Sequence, residues 1–164
     1  MTHLHSMAPR TGRRFAAGFT LAELMVVVAI AALLLSIAVP SYQAQVRKSH
    51  RTEARSALLD LAAREERFFS TSNAYTTSPL DLGYGAAAGA FSMQVGSGYY
   101  NVTVNVTAAN PAAAPPTQAG YTIVATAIGA QVGDTSCQSF TVLQTGAQSS
   151  LDNGGADSTA TCWK

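Results

Sequence analysis

Charge is scarce in this chain. Asp, Glu, Lys and Arg together make up 12% of its 164 residues, about half the share usual in a soluble domain. Histidine is scarcer still: His3 and His5 stand in the first few residues, and His50 is the only other. No Ser/His/Asp set, histidine pair at metal-binding spacing or phosphate-cradling glycine loop is present. The chain is therefore read as a non-enzyme that needs no cofactor and no metal. Cysteine is limited to Cys137 and Cys162, and two thiols cannot by themselves build a four-ligand zinc site. They are either a disulfide formed in an oxidising compartment or two free thiols. Closing a loop of that length would stabilise the fold by roughly 3 kcal/mol.

Charge of one sign is missing from each end. The first eighteen residues hold Arg10, Arg13 and Arg14 and no acid. After Phe68 the only base is Lys164, set against Asp81, Asp134, Asp152 and Asp157. An acidic C-terminal half argues against a broad nucleic-acid surface. Nucleic acid stays possible only through a local patch, since Arg47, Lys48, Arg51 and Arg55 cluster upstream.

What the chain has in abundance is one apolar run, Phe19 to Val39, broken only by Glu23 among charged residues. About 20 helical residues at 1.5 Å rise cover the hydrocarbon core of a bilayer. The arginines before the run place the N-terminus in the cytoplasm and the rest across the membrane. An ordinary secretory signal is the alternative, with Ser36-Ile37-Ala38 offering small residues for cleavage. Glu23 weighs against it, because a carboxylate in an apolar span costs up to ~3 kcal/mol and is seldom kept without a purpose.

The stretch Gly18-Phe19-Thr20-Leu21-Ala22-Glu23 resembles the processing site of type IV prepilins. The resemblance implies cleavage between Gly18 and Phe19 by the prepilin peptidase and N-methylation of Phe19. It implies an assembly role for Glu23, whose carboxylate would pair with the new amine at Phe19; burying either charge alone would cost several kcal/mol. Pro40 and Tyr42 fall where type IVa pilins commonly carry those residues. The leader, 1–18, is longer than the family's usual handful of residues, and Met7 is an alternative start. The implied partners are other pilin subunits in a helical fibre and the inner-membrane assembly machinery. The implied location is the bacterial inner membrane, then a pilus on the cell surface.

After Pro40, where a kink or local loosening is expected, an amphipathic helix is read over 41–69. Ala54, Ala57, Leu58, Leu61, Ala62, Phe68 and Phe69 mark its apolar face. Arg47, Lys48, Arg51, Glu53, Arg55, Arg64, Glu65, Glu66 and Arg67 are assigned to the solvated face. The cluster from Arg47 to Arg55 reads as a solvated face near lipid headgroups, or as inter-subunit ion pairs or a DNA-contact strip. Ser70 to Gly98 reads as a Gly-, Ala- and Ser-rich loop anchored by aromatics, similar to the helix-to-sheet loop of PilE-like pilins. Strict alternation from Tyr100 to Thr107 marks a strand. Asn110 to Gly120, with Pro111, Pro115 and Pro116, reads as a loop. Further strands are expected at Tyr121–Ile128, Ser139–Gln144 and Ser158–Trp163.

The expected architecture is thus α+β: one long N-terminal helix, anchor (19–40) and spine (41–69), with a small antiparallel sheet head (70–164) packed on it. The segment from Cys137 to Cys162 resembles the disulfide-bounded C-terminal region of type IV pilins. The Asp152–Asp157 turn has calcium-like oxygen ligands without the EF-hand spacing and reads as a polar turn. The function this implies is that of a structural subunit, minor rather than major, most like PilE-like type IVa pilins. A type II secretion pseudopilin and a DNA-uptake receptor pilin are the alternatives.

Overall fold

A computed structural model describes residues 18–85 and 89–164. The leader up to Ala17, including Met7, His3, His5, Arg10, Arg13 and Arg14, lies outside the described residues. The chain divides into a compact unit ending at Ser41 and a second, Tyr42–Lys164.

Helix α1 (Leu21–Ser72) runs for 52 residues with Pro40 inside it. Its first part is apolar on every side, and the large side chains from Leu21 to Val39 are exposed. Beyond Tyr42 a single stripe is buried: Ala54, Leu58, Leu61 and, unexpectedly, Glu65. The sequence pattern put Glu65 among the solvated charges. Its position four residues after Leu61 and seven after Leu58 turns it inward instead, because helix geometry outranks residue type here. The helix ends at Asn73, whose φ of 54° is left-handed and whose N–H bonds the carbonyl of Phe69 at 2.8 Å. A short polar residue in that conformation is a common helix stop.

Five antiparallel strands follow: β1 (Ser92–Val95), β2 (Tyr100–Thr107), β3 (Gly120–Ala127), β4 (Ser139–Leu143) and β5 (Gln148–Leu151). They lie in sequence order across one sheet. Val102 sits opposite Ala125, and Ala125 opposite Phe140, so the period of two puts apolar side chains on one face of all three central strands. Tyr100, Val102, Val104, Ile123, Ala125, Phe140 and Val142 form that face and pack in one core with Ala54, Leu58 and Leu61. The opposite face carries Asn101, Thr103, Thr122, Thr126, Ser139 and Thr141, part-exposed or exposed. Fully burying a Leu or Phe contributes about 1.5–3 kcal/mol, which makes this shared core the main force holding helix to sheet.

Strands β1 and β5 were not read from the sequence. Each is four residues long and too short to show a period. The strand expected at Ser158–Trp163 is a helical turn instead, α2 (Thr159–Cys162). Asp157 Oδ1 accepts from both the N–H and the hydroxyl of Thr159, starting a turn where a strand would continue. The aromatics after α1 do anchor their loop: Tyr75 stacks on Phe69 at 4.5 Å and meets Tyr121 edge-on at 4.9 Å. Tyr84 meets Phe91 in the same edge-on way.

Cys137 and Cys162 are joined in a disulfide, and both are buried. The bridge ties the entrance of β4 to α2. Replacing both with Ser should lower unfolding free energy by about 3 kcal/mol, the loop-closure figure for a crosslink of this span, read by urea denaturation. Thiol labelling of the folded protein without reductant should modify neither cysteine.

Candidate functional site

Two regions carry the residues singled out by sequence: the start of α1 and its cationic stretch. At the start, Gly18 and Phe19 are exposed, Phe19 at 78%. Thr20 precedes the helix, and its Oγ1 accepts from the N–H of Glu23 at 3.2 Å. Ser or Thr followed three residues later by Glu is the signature of a capping box. Glu23 thus has a second local meaning that the sequence reading missed, although the spacing was in plain view. Its carboxylate is exposed and lies in the first turn, where negative charge favours the helix dipole. Phe19, Glu23 and the large apolar side chains up to Val39 are all exposed. Such a surface requires lipid or other apolar helices.

The cationic stretch is the larger correction. Arg47, Arg51 and Arg55 do not present a free strip. Arg51 grips Asp134 with two parallel hydrogen bonds of 2.5 Å, from Nε and Nη2. Asp134 is almost fully buried, and Arg51 is partly so. Hydrogen bonding to the Asp134 carboxylate holds the Arg51 guanidinium above its ordinary pKa. Arg47 Nη1 donates to the carbonyl of Gly133 at 3.0 Å. Arg55 Nη1 donates to the carbonyls of Cys162 and Lys164. These arginines are clamps from the helix onto the head, on the 3-10 turn Gly129–Gly133 and on the disulfide.

Gln131 completes the clamp. It is 1% exposed, and its Nε2 reaches Asp134 Oδ2 at 3.0 Å and the Tyr100 hydroxyl at 3.1 Å. Tyr100 in turn donates to the carbonyl of Cys137 at 3.2 Å, and burial pushes its phenol up to about 12. Gln131 Oε1 lies 3.0 Å from His50 Nδ1, so that nitrogen carries the proton. The His50 ring stacks on Tyr99 with centroids 4.0 Å apart. Every member of the network has a partner, as a buried polar cluster needs.

Lys48, Arg67 and Lys164 enter no ion pair among the described residues. The Asp152–Asp157 turn spends its carboxylates internally: Asp152 Oδ1 accepts from the N–H groups of Gly154 and Ala156. No group of three or more metal-ligating side chains gathers among the described residues. The arrangement suits holding and presenting a surface.

Comparison with known proteins gives the same direction. Residues 13–39 match the prokaryotic N-terminal methylation motif. Residues 40–141 match the family described as "Type IV minor pilin ComP, DNA uptake sequence receptor". The chain is also 36% identical over 72 residues to the type IV major pilin protein PilA of Myxococcus xanthus, covering 44% of this chain. The matched part spans about a third (33%) of the length of that relative.

Removing one partner of the clamp should cost more than its exposed surface suggests. Asp134→Ala leaves the Arg51 guanidinium facing a buried, unpaired position, and a loss of about 3 kcal/mol is expected. Arg51→Ala should cost a similar amount, and the double variant less than the sum. A double-mutant cycle by chemical denaturation checks the coupling; additive losses would show that the clamp does not act as a unit.

Proposed function

Because the chain belongs to the type IV minor pilin ComP family, we propose that it is inserted into a type IV pilus through α1 after its leader is cut between Gly18 and Phe19. The observation that carries this reading is an abutment. The methylation motif ends at Val39 and the minor-pilin match begins at Pro40, so anchor and head belong to one pilin plan. The chain is a membrane-anchored pilin, and its family is structural, associating with other pilins and the pilus machinery. The finer statements are the proposal: the prepilin peptidase cuts after Gly18 and methylates Phe19. The N-terminus faces the cytoplasm and the head faces the periplasm before assembly. Glu23 then compensates the Phe19 amine when the helix leaves lipid for the fibre, while Pro40 loosens the helix where it passes from lipid to head.

The test is mass spectrometry of the mature chain from sheared surface fibres. It should begin at methylated Phe19, and Gly18→Ala should slow or block cutting. Glu23→Ala should be cut normally yet be depleted from fibres. An N-terminus after Ala38 would make the apolar run an ordinary signal and overturn the reading.

The family's description favours a second function, that of DNA receptor. Among the described residues the clamps leave Lys48, Arg67 and Lys164 as the cations available to phosphate. Neutralising about three phosphates gives a log–log salt slope near −2.7 at ~0.9 per contact. Full-length mature protein in detergent should therefore bind duplex weakly and lose it by physiological salt. Lys48→Ala with Lys164→Ala should flatten the slope by about two. Submicromolar, sequence-selective binding at physiological salt would instead place base readout on the head's neutral side chains.

A further inference from the structure

Glu65 is the one acid of the helix that the fold takes wholly out of water. It is 0% exposed. Its Oε2 accepts from the backbone N–H of Thr76 at 3.2 Å, and its Oε1 has no hydrogen-bond partner. Thr76 lies four residues past the end of α1, in the loop that joins it to the sheet. That loop is laced from this point onward: Ser78 N–H bonds Thr76 Oγ1 at 3.0 Å, Thr76 Oγ1 donates to Asp81 Oδ2 at 3.1 Å, and Tyr84 N–H bonds the carbonyl of Pro79 at 2.8 Å. One buried carboxyl therefore holds the first backbone contact of a segment whose far end is held separately, by Arg64 Nη1 on the carbonyl of Leu82 and by the Tyr84 hydroxyl on Asp60 Oδ2.

The titratable groups around Glu65 offer it no counter-charge. Glu66 follows it on α1 and accepts from the Tyr75 hydroxyl at 3.2 Å. Tyr75 on the loop and Tyr121 on β3 complete the surroundings and feel its charge. Of the nearby cations, Arg64 is spent on Asp60 at 2.8 Å and on the carbonyl of Leu82 at 3.0 Å. Arg67 lies on the exposed side of the helix. A carboxylate buried with one oxygen unsatisfied and a like charge beside it is disfavoured against the neutral acid.

We propose that Glu65 is a proton-operated latch: as the neutral acid it holds the start of the loop, at Thr76, against α1, and as the carboxylate it lets that start open. The proposal does not depend on the pilus or DNA readings. Burial is the first cause that raises the Glu65 carboxyl from 4.5 to about 7, which puts the transition in the neutral range. The sign follows from linkage. When the latch opens, water restores the ordinary value, so the open state ionises first as pH rises. Closure is undiminished below about 4.5, weakens from there to about 7, and is constant above.

The experiment is amide hydrogen exchange on the full mature chain in detergent micelles, corrected for intrinsic rates, at pH 5.5 and 8.5. Protection at Thr76 should fall about thirtyfold between the two, given the two ionisation values, while β3 amides stay unchanged. Glu65→Gln keeps the volume and the acceptor for Thr76 N–H and should abolish the pH dependence; Glu66→Gln should retain it. Equal protection at both pH values in the wild type, or an unaltered pH profile in Glu65→Gln, would overturn the proposal. Carbon-13 titration of the wild-type glutamates decides the matter alone if the variant does not fold. One carboxyl with a midpoint near 7 supports the latch, and midpoints all below about 5.5 refute it.

Discussion

The carboxylate of Asp134 sets the terms for the head. It is almost sealed from water, where an unpaired charge would cost several kcal/mol. Among the described residues the cation that reaches it is Arg51 on α1, and the bidentate geometry leaves little freedom of rotation or slide. Once Arg51 is fixed, Arg47 one turn before and Arg55 one turn after fall against Gly133 and the carbonyls of Cys162 and Lys164. The helix register against the sheet is therefore specified by directional bonds as well as by the apolar stripe, which alone would tolerate some sliding.

The disulfide and this clamp reinforce each other. Gln131 and Tyr100 connect Asp134 to the carbonyl of Cys137, and Arg55 holds the carbonyl of Cys162. Both ends of the covalent crosslink are thus connected to the same three turns of α1, Cys162 directly through Arg55 and Cys137 through the chain Tyr100, Gln131, Asp134 and Arg51.

The same helix meets two opposite demands. Up to Val39 it must be apolar all round and leave its surface uncovered; from Tyr42 it must bury one stripe and solvate the rest. The two family matches divide at that boundary. Glu65 is the exception inside the second part, an acid on the core stripe. A residue that breaks the local rule at the foot of a loop is where a conditional function is to be sought.

Much of this was legible in the sequence because it is local. The apolar length from Phe19 to Val39, the Gly18-Phe19 junction, the alternation of Tyr100–Thr107 and the α+β order all depend on neighbours along the chain. Strands β1 and β5 were not legible, since four residues carry no usable period and acquire strand geometry only from the partner beside them. The turn at Thr159–Cys162 was misread because Asp157 competes for its backbone and the disulfide fixes its place. Charges were the least readable. Arg47, Arg51 and Arg55 look like a surface strip until Gly133, Asp134 and Cys162 are brought to them from more than eighty residues away. Glu65 looks solvated until helix phase turns it to the core. Residue type and spacing determined what this chain is; which charges remain free, and which are spent or hidden, only the tertiary structure decided, because a charge's partner is chosen in space.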